Sequence, residues 1–439
     1  MSKVKKLILL IGDVVTLYLS LWLALLIRYQ TVVMAQESFA IHTGPFSAIF
    51  ILWILAFYWN DLYRPKVFGG SVWLIKALAR AVFIATAGSI IAFYLFPGFF
   101  ELTPRANLFI LSAVFFVLSY AWRANTSRVF ASNALNAVVL GSSPLIDEAI
   151  QYIHSNPHAG YRVVKHIARP SEHDMESLPA LIASAHAQLI VVPQHLANNV
   201  PALRAIYRLL PLEVSVMRFS DFYEALFEKE PLKELEESWF IENISTRRPI
   251  YESVKRVMDI GIGGLASVIL FIPALLIAAL VKLTSSGPII YTQARTGKNG
   301  VPFTLYKFRT MQHNTPGALW TEANDTRITR FGNFLRFTHL DEIPQLINIL
   351  KNDISLVGPR PERTELSAQY ERFPYYEIRH VIKPGLTGWA QVSFRPSTSF
   401  EEAYEKLCYD IYYVKNRSLL LDLVIFLRTV KYLFTSYTK

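Results

Sequence analysis

Four apolar stretches in the first third of the chain, residues 7–27, 46–63, 80–96 and 108–122, constrain the fold more than any other feature. Each approaches the ~20 residues that a helix needs to cross a bilayer. They predict an α-helical transmembrane bundle over residues 1–130. Lys3, Lys5 and Lys6 precede the first stretch, Arg64, Lys66, Lys76 and Arg80 lie between the second and third, and Arg123 and Arg128 follow the fourth. The other two connections are poorer in Lys and Arg, so the positive-inside rule puts both ends of the bundle in the cytoplasm. The basic N-terminus and first apolar run resemble a signal peptide. The run continues to about residue 27 without a small-residue cleavage pattern, however, and reads as a retained anchor.

Composition narrows the ligand classes. A formal charge of +10 suits nucleic acid, anionic lipid and phosphorylated substrates alike. The basic residues sit beside apolar spans and aromatics such as Tyr412, Tyr413 and Phe426, with no zinc-finger or basic-zipper spacing. Membrane lipids and phosphates are therefore expected as partners, and nucleic acid is not. The single cysteine, Cys408, excludes an intrachain disulfide and a multi-cysteine metal site.

Residues 131–246 read as a soluble α/β unit of degenerate Rossmann-like type. A strand ending at Gly141 leads into a helix near Pro144, and strands at 161–167 and 188–192 alternate with helical stretches, the rhythm of a parallel sheet. Gly141-Ser142-Ser143 lacks the rest of the dinucleotide fingerprint, and the second strand ends in Arg169 where an acid would hold a ribose. A structural or regulatory role is expected, and a homodimer, if formed, would use this domain.

A fifth apolar run, residues 260–281, is long enough to cross the membrane. Arg247, Arg248, Lys255 and Arg256 precede it, and Lys282, Arg295, Lys298, Lys307 and Arg309 follow, so both flanks carry the cytoplasmic signature. Pro273 lies mid-run, where it removes a helix hydrogen bond and permits a bend. A re-entrant hairpin near residues 255–284 is therefore expected, with its break at Pro273.

The last third, residues 247–439, reads as a mainly α domain carrying four motifs. The first joins Gly287-Pro288, Tyr291, Gln293, Arg295, Gly297 and Gly300 to Lys307-Phe308-Arg309-Thr310-Met311. The second is Leu335-Arg336-Phe337-Thr338-His339-Leu340-Asp341-Glu342-Ile343-Pro344-Gln345, ending at Asn348. The third is Ser355-Leu356-Val357-Gly358-Pro359-Arg360-Pro361. The fourth runs from Lys383-Pro384-Gly385 through Gly388-Trp389-Ala390-Gln391-Val392, with Arg395 behind it. Glycines permit tight turns, and Arg and Lys offer donors to phosphate.

From about Pro249 to the C-terminus this set closely resembles the bacterial sugar transferases, also called polyprenyl-phosphate hexose-1-phosphate transferases or monotopic phosphoglycosyl transferases. The N-terminal part resembles the longer members, which carry a four-helix membrane bundle and a Rossmann-like domain. The resemblance implies a multi-pass enzyme of the bacterial inner membrane whose catalytic domain faces the cytoplasm. It would start exopolysaccharide, capsule or O-antigen synthesis by moving hexose 1-phosphate from a UDP-sugar to polyprenyl (undecaprenyl) phosphate.

In that chemistry Asp341 attacks the sugar-linked phosphorus, UMP leaves, and the lipid phosphate then takes the sugar phosphate from the aspartyl intermediate. Two anions must meet, so cations have to neutralise the diphosphate. Lys307, Arg309, Arg336, Arg360 and Arg395 suit that role, with Arg379 and Lys383 as further candidates and Pro359 and Pro361 near the nucleotide. Mg2+ is the expected cofactor, with Asp341 and Glu342 as its protein ligands and Glu342 also a proton-handling partner.

Weighed alone, Asp341 also fits a plain helix N-cap, because Pro344 suits a first turn and Leu346, Ile347 and Leu350 follow at helical spacing. Residues 419–434 place Leu420, Leu423, Val424 and Leu427 opposite Asp422, Arg428 and Lys431, as a helix lying in the membrane interface would. Two rival readings remain. Tyr251 and Lys255 have the spacing of a nucleotide-sugar dehydratase or epimerase, and the bundle with its middle domain would also serve a non-enzymatic scaffold of polysaccharide export.

Overall fold

The computed structural model describes residues 3–63, 71–97, 105–132, 134–197, 200–212, 214–312, 327–395 and 399–434. Arg64 and Lys66, part of the charge pattern above, lie outside them. The chain divides into two units, Met1–Leu226 and Phe227–Lys439.

The first unit begins with α1 (Lys3–Tyr29), α2 (Val32–Trp59), α3 (Ser71–Leu95) and α4 (Arg105–Ser132). All four are long and apolar enough to cross a membrane. α1 packs on α2 and α4, α2 on α3, and α3 on α4, which closes an up-and-down bundle. Its interior is Leu9, Leu17, Leu21, Phe46, Trp53, Phe57, Leu111 and Phe115. At one end Arg123 of α4 makes a two-pronged pair with Asp13 of α1 at 2.5 and 2.7 Å. Tyr63 donates to the same carboxylate at 2.8 Å, and both charged side chains are fully buried.

The second span is longer than its apolar core, because the helix runs through Pro45 instead of starting behind it. The polar residues ahead of Pro45 are absorbed: His42 bonds the Ser38 carbonyl at 2.7 Å and the Asn107 side chain at 3.0 Å.

The α/β part holds β1 (Leu135–Leu140), β2 (Tyr161–Ile167), β3 (Leu189–Val192) and β4 (Ser215–Arg218), a parallel sheet of order β2-β1-β3-β4. The helix Pro144–Ser155 follows β1, with Pro144 in its first turn and the Ser143 hydroxyl accepting from the Ile146 amide at 3.3 Å. Gly141 turns at φ +85, and a Cβ there would stand 2.6 Å from Pro193.

Residues 227–246, which the sequence grouped with the middle domain, fold with the second unit. Leu232, Trp239 and Phe240 share a core with Leu366, Tyr370, Tyr376, Leu407 and Ile411, so burial sets the boundary earlier.

In the second unit α5 (Pro249–Ile269) and α6 (Phe271–Thr284) form a pair bent by 60°. The break falls at Leu270, three residues ahead of the expected Pro273, which instead sits in the first turn of α6. A proline there has no amide for the Ile269 carbonyl and crowds the preceding turn, so the helix parts before it. Leu265, Val268, Ile269, Phe271, Ile272 and Leu276 are each more than 60% exposed, while Ile277 and Val281 pack on Phe308 and Leu335.

Then follow β5 (Ile290–Thr296) and β6 (Pro302–Phe308), an antiparallel hairpin, and α7 (Arg330–Thr338), α8 (Gln345–Lys351), β7 (Ser355–Val357) and β8 (Gly385–Thr387). α9 (Phe400–Asn416) and α10 (Leu419–Phe434) end the unit. Asp259 of α5 accepts from the Leu356 amide at 3.0 Å and the Ser355 hydroxyl at 3.1 Å, which fastens the bent pair to β7.

Candidate active site

Asp341 and Glu342 lie in a short 3-10 turn, Leu340–Glu342, between α7 and α8. The hydroxyl of Thr329 caps α7 by accepting from Gly332 at 2.8 Å, and the Thr329 amide donates to the Thr310 carbonyl behind β6 at 3.0 Å. A Cβ on Gly332 would stand 2.0 Å from that carbonyl oxygen, so only glycine lets the helix start this close to the strand. His339 ends α7 in the left-handed region, φ 57, which turns the chain sharply and projects the next two residues together. Asp341 is not a cap of α8: Pro344 holds that place, and the helix begins at Gln345.

The Asn348 side chain joins α8 to β6, accepting from the Tyr306 amide at 3.1 Å and donating to the Thr304 carbonyl at 2.7 Å. That clasp places Lys307 of β6 beside the turn, where its ammonium meets Glu342 at 2.6 Å. Arg360 approaches the same carboxylate at 3.6 Å. Burial alone would raise the Glu342 carboxyl, but Lys307 and then Arg360 overcome it and hold the group at about 2.

Asp341 differs from its neighbour. It is 9% exposed, and its carboxylate has no hydrogen bond or ion pair among the described residues. Burial pushes its carboxyl above the ordinary value, against the opposing charges of Lys307, His339 and Arg336. Arg336 of α7 leaves Nη1 buried without a hydrogen-bond partner, so a second unspent group stands near this open carboxylate.

The Pro359-Arg360-Pro361 loop is held through its main chain. Its three carbonyls accept from the Gly385 amide at 2.9 Å, from Arg379 at 2.9 Å and from Arg295 at 3.1 Å. Arg379 is buried and paired to Asp410 at 2.8 Å, so its guanidinium supports Arg360. Behind this loop the half-buried Glu362 and Lys406 and the buried Asp410 form a charged cluster that the motifs did not reveal. Burial opposes ionisation of Glu362, yet Lys406, Arg379, Arg360 and Arg295 hold its carboxyl below the usual value. Lys406 and Asp410 sit one turn apart on α9 while Glu362 comes from the loop, and the sequence signals were that spacing and the place of Glu362 directly after Pro361.

The other expected cations fall elsewhere. Arg309 is 6% exposed, and its guanidinium is spent on the end of α6, donating to the Ser285 carbonyl and hydroxyl at 2.8 Å and to the Pro288 carbonyl. Lys383 donates to Asn352 at 2.6 Å beyond the far end of α8. Arg395 is 71% exposed and pairs with Glu402. The dehydratase spacing dissolves as well: Tyr251 and Lys255 both bind Asp422, at 2.8 and 2.6 Å, together with Tyr413 at 2.6 Å, which ties α5 to α10.

Among the described residues no three His, Cys, Asp or Glu side chains converge on a metal position. A magnesium ion carried by substrate phosphates needs one or two protein carboxylates, and Asp341 with Glu342 supplies them, so the donor set fits. The depressed Glu342 carboxyl also sets a pH dependence. Its pairing stabilises the fold fully above about pH 4.5 and is lost as the pH falls toward 2. The melting temperatures of wild type and Glu342→Gln are therefore expected to differ at neutral pH and to converge on acidification.

Residues 250–436 match the family model described as bacterial sugar transferase. A UDP-N-acetylgalactosamine-undecaprenyl-phosphate N-acetylgalactosaminephosphotransferase of Aeromonas hydrophila is 41% identical over 193 residues, 43% of this chain and 45% of that protein. A UDP-glucose:undecaprenyl-phosphate glucose-1-phosphate transferase of Caulobacter vibrioides is 44% identical over 188 residues, 42% of this chain and 70% of its own length. The exopolysaccharide production protein PSS of Rhizobium leguminosarum is 40% identical over 187 residues, 40% of this chain and 93% of its own. The alignment thus spans less than half of the Aeromonas protein and nearly all of the Rhizobium one. The chain belongs to the bacterial sugar transferase family.

Proposed function

We propose that this chain transfers a sugar 1-phosphate from a UDP-sugar to undecaprenyl phosphate through a covalent intermediate on Asp341. The observation that carries the reading is the buried Asp341 carboxylate, left without a partner beside Lys307, Arg336 and the Glu342–Arg360 pair. A stabilising carboxylate would be paired, as Glu342 is, whereas a nucleophile must keep its lone pairs free. In the first step an Asp341 oxygen bonds to the sugar-linked phosphorus, and the bond from that phosphorus to the bridging oxygen breaks. UMP carries the electron pair away. In the second step an oxygen of the lipid phosphate bonds to the same phosphorus, and the acyl-phosphate bond to Asp341 breaks. The sugar–phosphate linkage stays intact throughout.

Lys307 and Arg360 neutralise the incoming diphosphate, and Arg336 supplies a guanidinium that has no other task. A magnesium ion held by Asp341 and Glu342 together with the diphosphate would add charge neutralisation at the leaving oxygens. Arg379, through the Arg360 carbonyl, acts as a positioning residue. The Aeromonas and Caulobacter relatives bear names for this reaction with different sugars, and the Rhizobium relative a name from exopolysaccharide production. A place at the first membrane step of surface polysaccharide assembly follows from the reaction itself. Incubating the purified protein with a panel of UDP-sugars and undecaprenyl phosphate tests the reading. UMP release dependent on both substrates is expected, and no release from any donor contradicts it.

The bent pair α5–α6 is the natural re-entrant membrane element, with the second unit on the cytoplasmic side of the bacterial inner membrane. Basic flanks on both sides of the apolar run and the 60° bend at Leu270 support that topology. A cysteine introduced at Asn299 should react with an impermeant thiol reagent in inside-out vesicles. Labelling in intact spheroplasts instead would overturn the hairpin.

A further inference from the structure

An open cleft lies in the second unit, and the transfer chemistry gives it no task. Arg256 of α5, Lys298 of the β5–β6 turn and Lys383 ahead of β8 line its polar side, over an apolar floor of Val357, Ile382 and the Tyr413 ring. The charges around it do not balance. Lys255 is neutralised by Asp422, Asp259 is taken up by β7, and Glu252 at the rim leans toward Arg417 at 3.9 Å. Arg256 meets the carbonyls of Ile349 and Leu350 at 2.7 and 2.9 Å, and Lys383 meets an amide oxygen. The Lys298 ammonium makes no hydrogen bond or ion pair among the described residues. Burial, then the charges of Arg256 and Lys298, lowers the Lys383 ammonium below its ordinary value against the opposing charges of Asp259 and Glu252.

Position and lining define what would balance them. α8 has seven residues and is about 10 Å long at 1.5 Å per residue. Arg256 caps its far end and Asp341 precedes its start, so a phosphate in this cleft is not the one that reacts. The uncharged, exposed half of α5 begins at Ile260, directly after Asp259. On the reading that α5 and α6 enter the bilayer, the cleft therefore lies at headgroup depth. An apolar floor under a cationic rim fits an amphiphile better than a free ion.

The geometry points to a second phosphate subsite, at Arg256, Lys298 and Lys383, that takes the anionic phosphate headgroup of a membrane phospholipid and fixes the catalytic unit at the bilayer surface. The test is native mass spectrometry of the full-length protein in neutral detergent, titrated with phosphatidylglycerol or phosphatidylcholine, with inorganic phosphate as competitor. Phosphatidylglycerol should be retained about fivefold better than phosphatidylcholine, Lys298→Gln should lose that preference, and Lys298→Arg should keep it, as expected for one basic side chain at an anionic lipid surface. Equal retention of the two lipids, or an unchanged preference in Lys298→Gln, overturns the proposal. Inorganic phosphate displacing the lipid at equal concentration overturns the lipid assignment in favour of a free-anion site. Asp341→Asn should keep the lipid preference while losing UMP release, so failure of the transferase reading and failure of this subsite give different results.

Discussion

Asp341→Asn is expected to lower UMP release by about 10⁴-fold or more, the loss typical of removing a nucleophile whose partners remain in place. The same variant should be no less stable than wild type. Burial raises the Asp341 carboxyl above its ordinary value of 3.8, so ionising it opposes folding. That cost is absent below about pH 3.8 and fully present once the pH exceeds the raised value. At neutral pH the neutral amide should therefore melt at an equal or higher temperature, and the gap should close on acidification. Loss of activity with retained or increased stability separates a chemical role from a structural one, and the two curves are measured on the same preparation. A scaffold of polysaccharide export would lose nothing on this substitution.

The second large effect is expected in the helical bundle of the first unit. Arg123→Ala leaves Asp13 fully buried in the bundle with, among the described residues, only the Tyr63 hydroxyl to bond its carboxylate. Stranding one member of a buried pair costs about 3–5 kcal/mol, and water cannot enter an apolar bundle to relieve it. The melting temperature in detergent should fall steeply. Asp13→Leu combined with Arg123→Met should recover most of the loss, because an apolar pair needs no partner. An Arg123→Ala protein that melts like wild type would show that the pair does not fasten α1 to α4.

Much of this architecture was legible because its physics is one-dimensional. Four apolar runs long enough for a bilayer announce four helices, and a β-strand followed by Gly141, Ser143 and Pro144 announces a strand, a turn and a capped helix. Boundaries were less legible where tertiary partners absorb local conflict. The second apolar stretch was read as residues 46–63, yet His42 finds Ser38 and Asn107 and the helix begins at Val32. Pro273 correctly marked a break, but its effect falls on the preceding turn and the bend sits at Leu270.

The adjacent Asp341 and Glu342 were visible because their motif is local. The roles of the cations were not, since charge alone does not say what a guanidinium touches. Arg309 and Arg336 are equally basic in the sequence, but one is spent on the end of α6 and the other is left with a buried donor and no partner. Asn348 and Glu362 act through contacts made across elements, which no spacing rule encodes.

The proposed reaction rests on a covalent bond between phosphorus and the Asp341 carboxylate. Incubating the enzyme with a donor labelled in the sugar, in the absence of lipid acceptor, then quenching, digesting and mapping the labelled peptide by mass, tests it directly. A sugar phosphate on the peptide containing Asp341, discharged on adding undecaprenyl phosphate, is the predicted result. Turnover without any adduct, or an adduct on another residue, would contradict it.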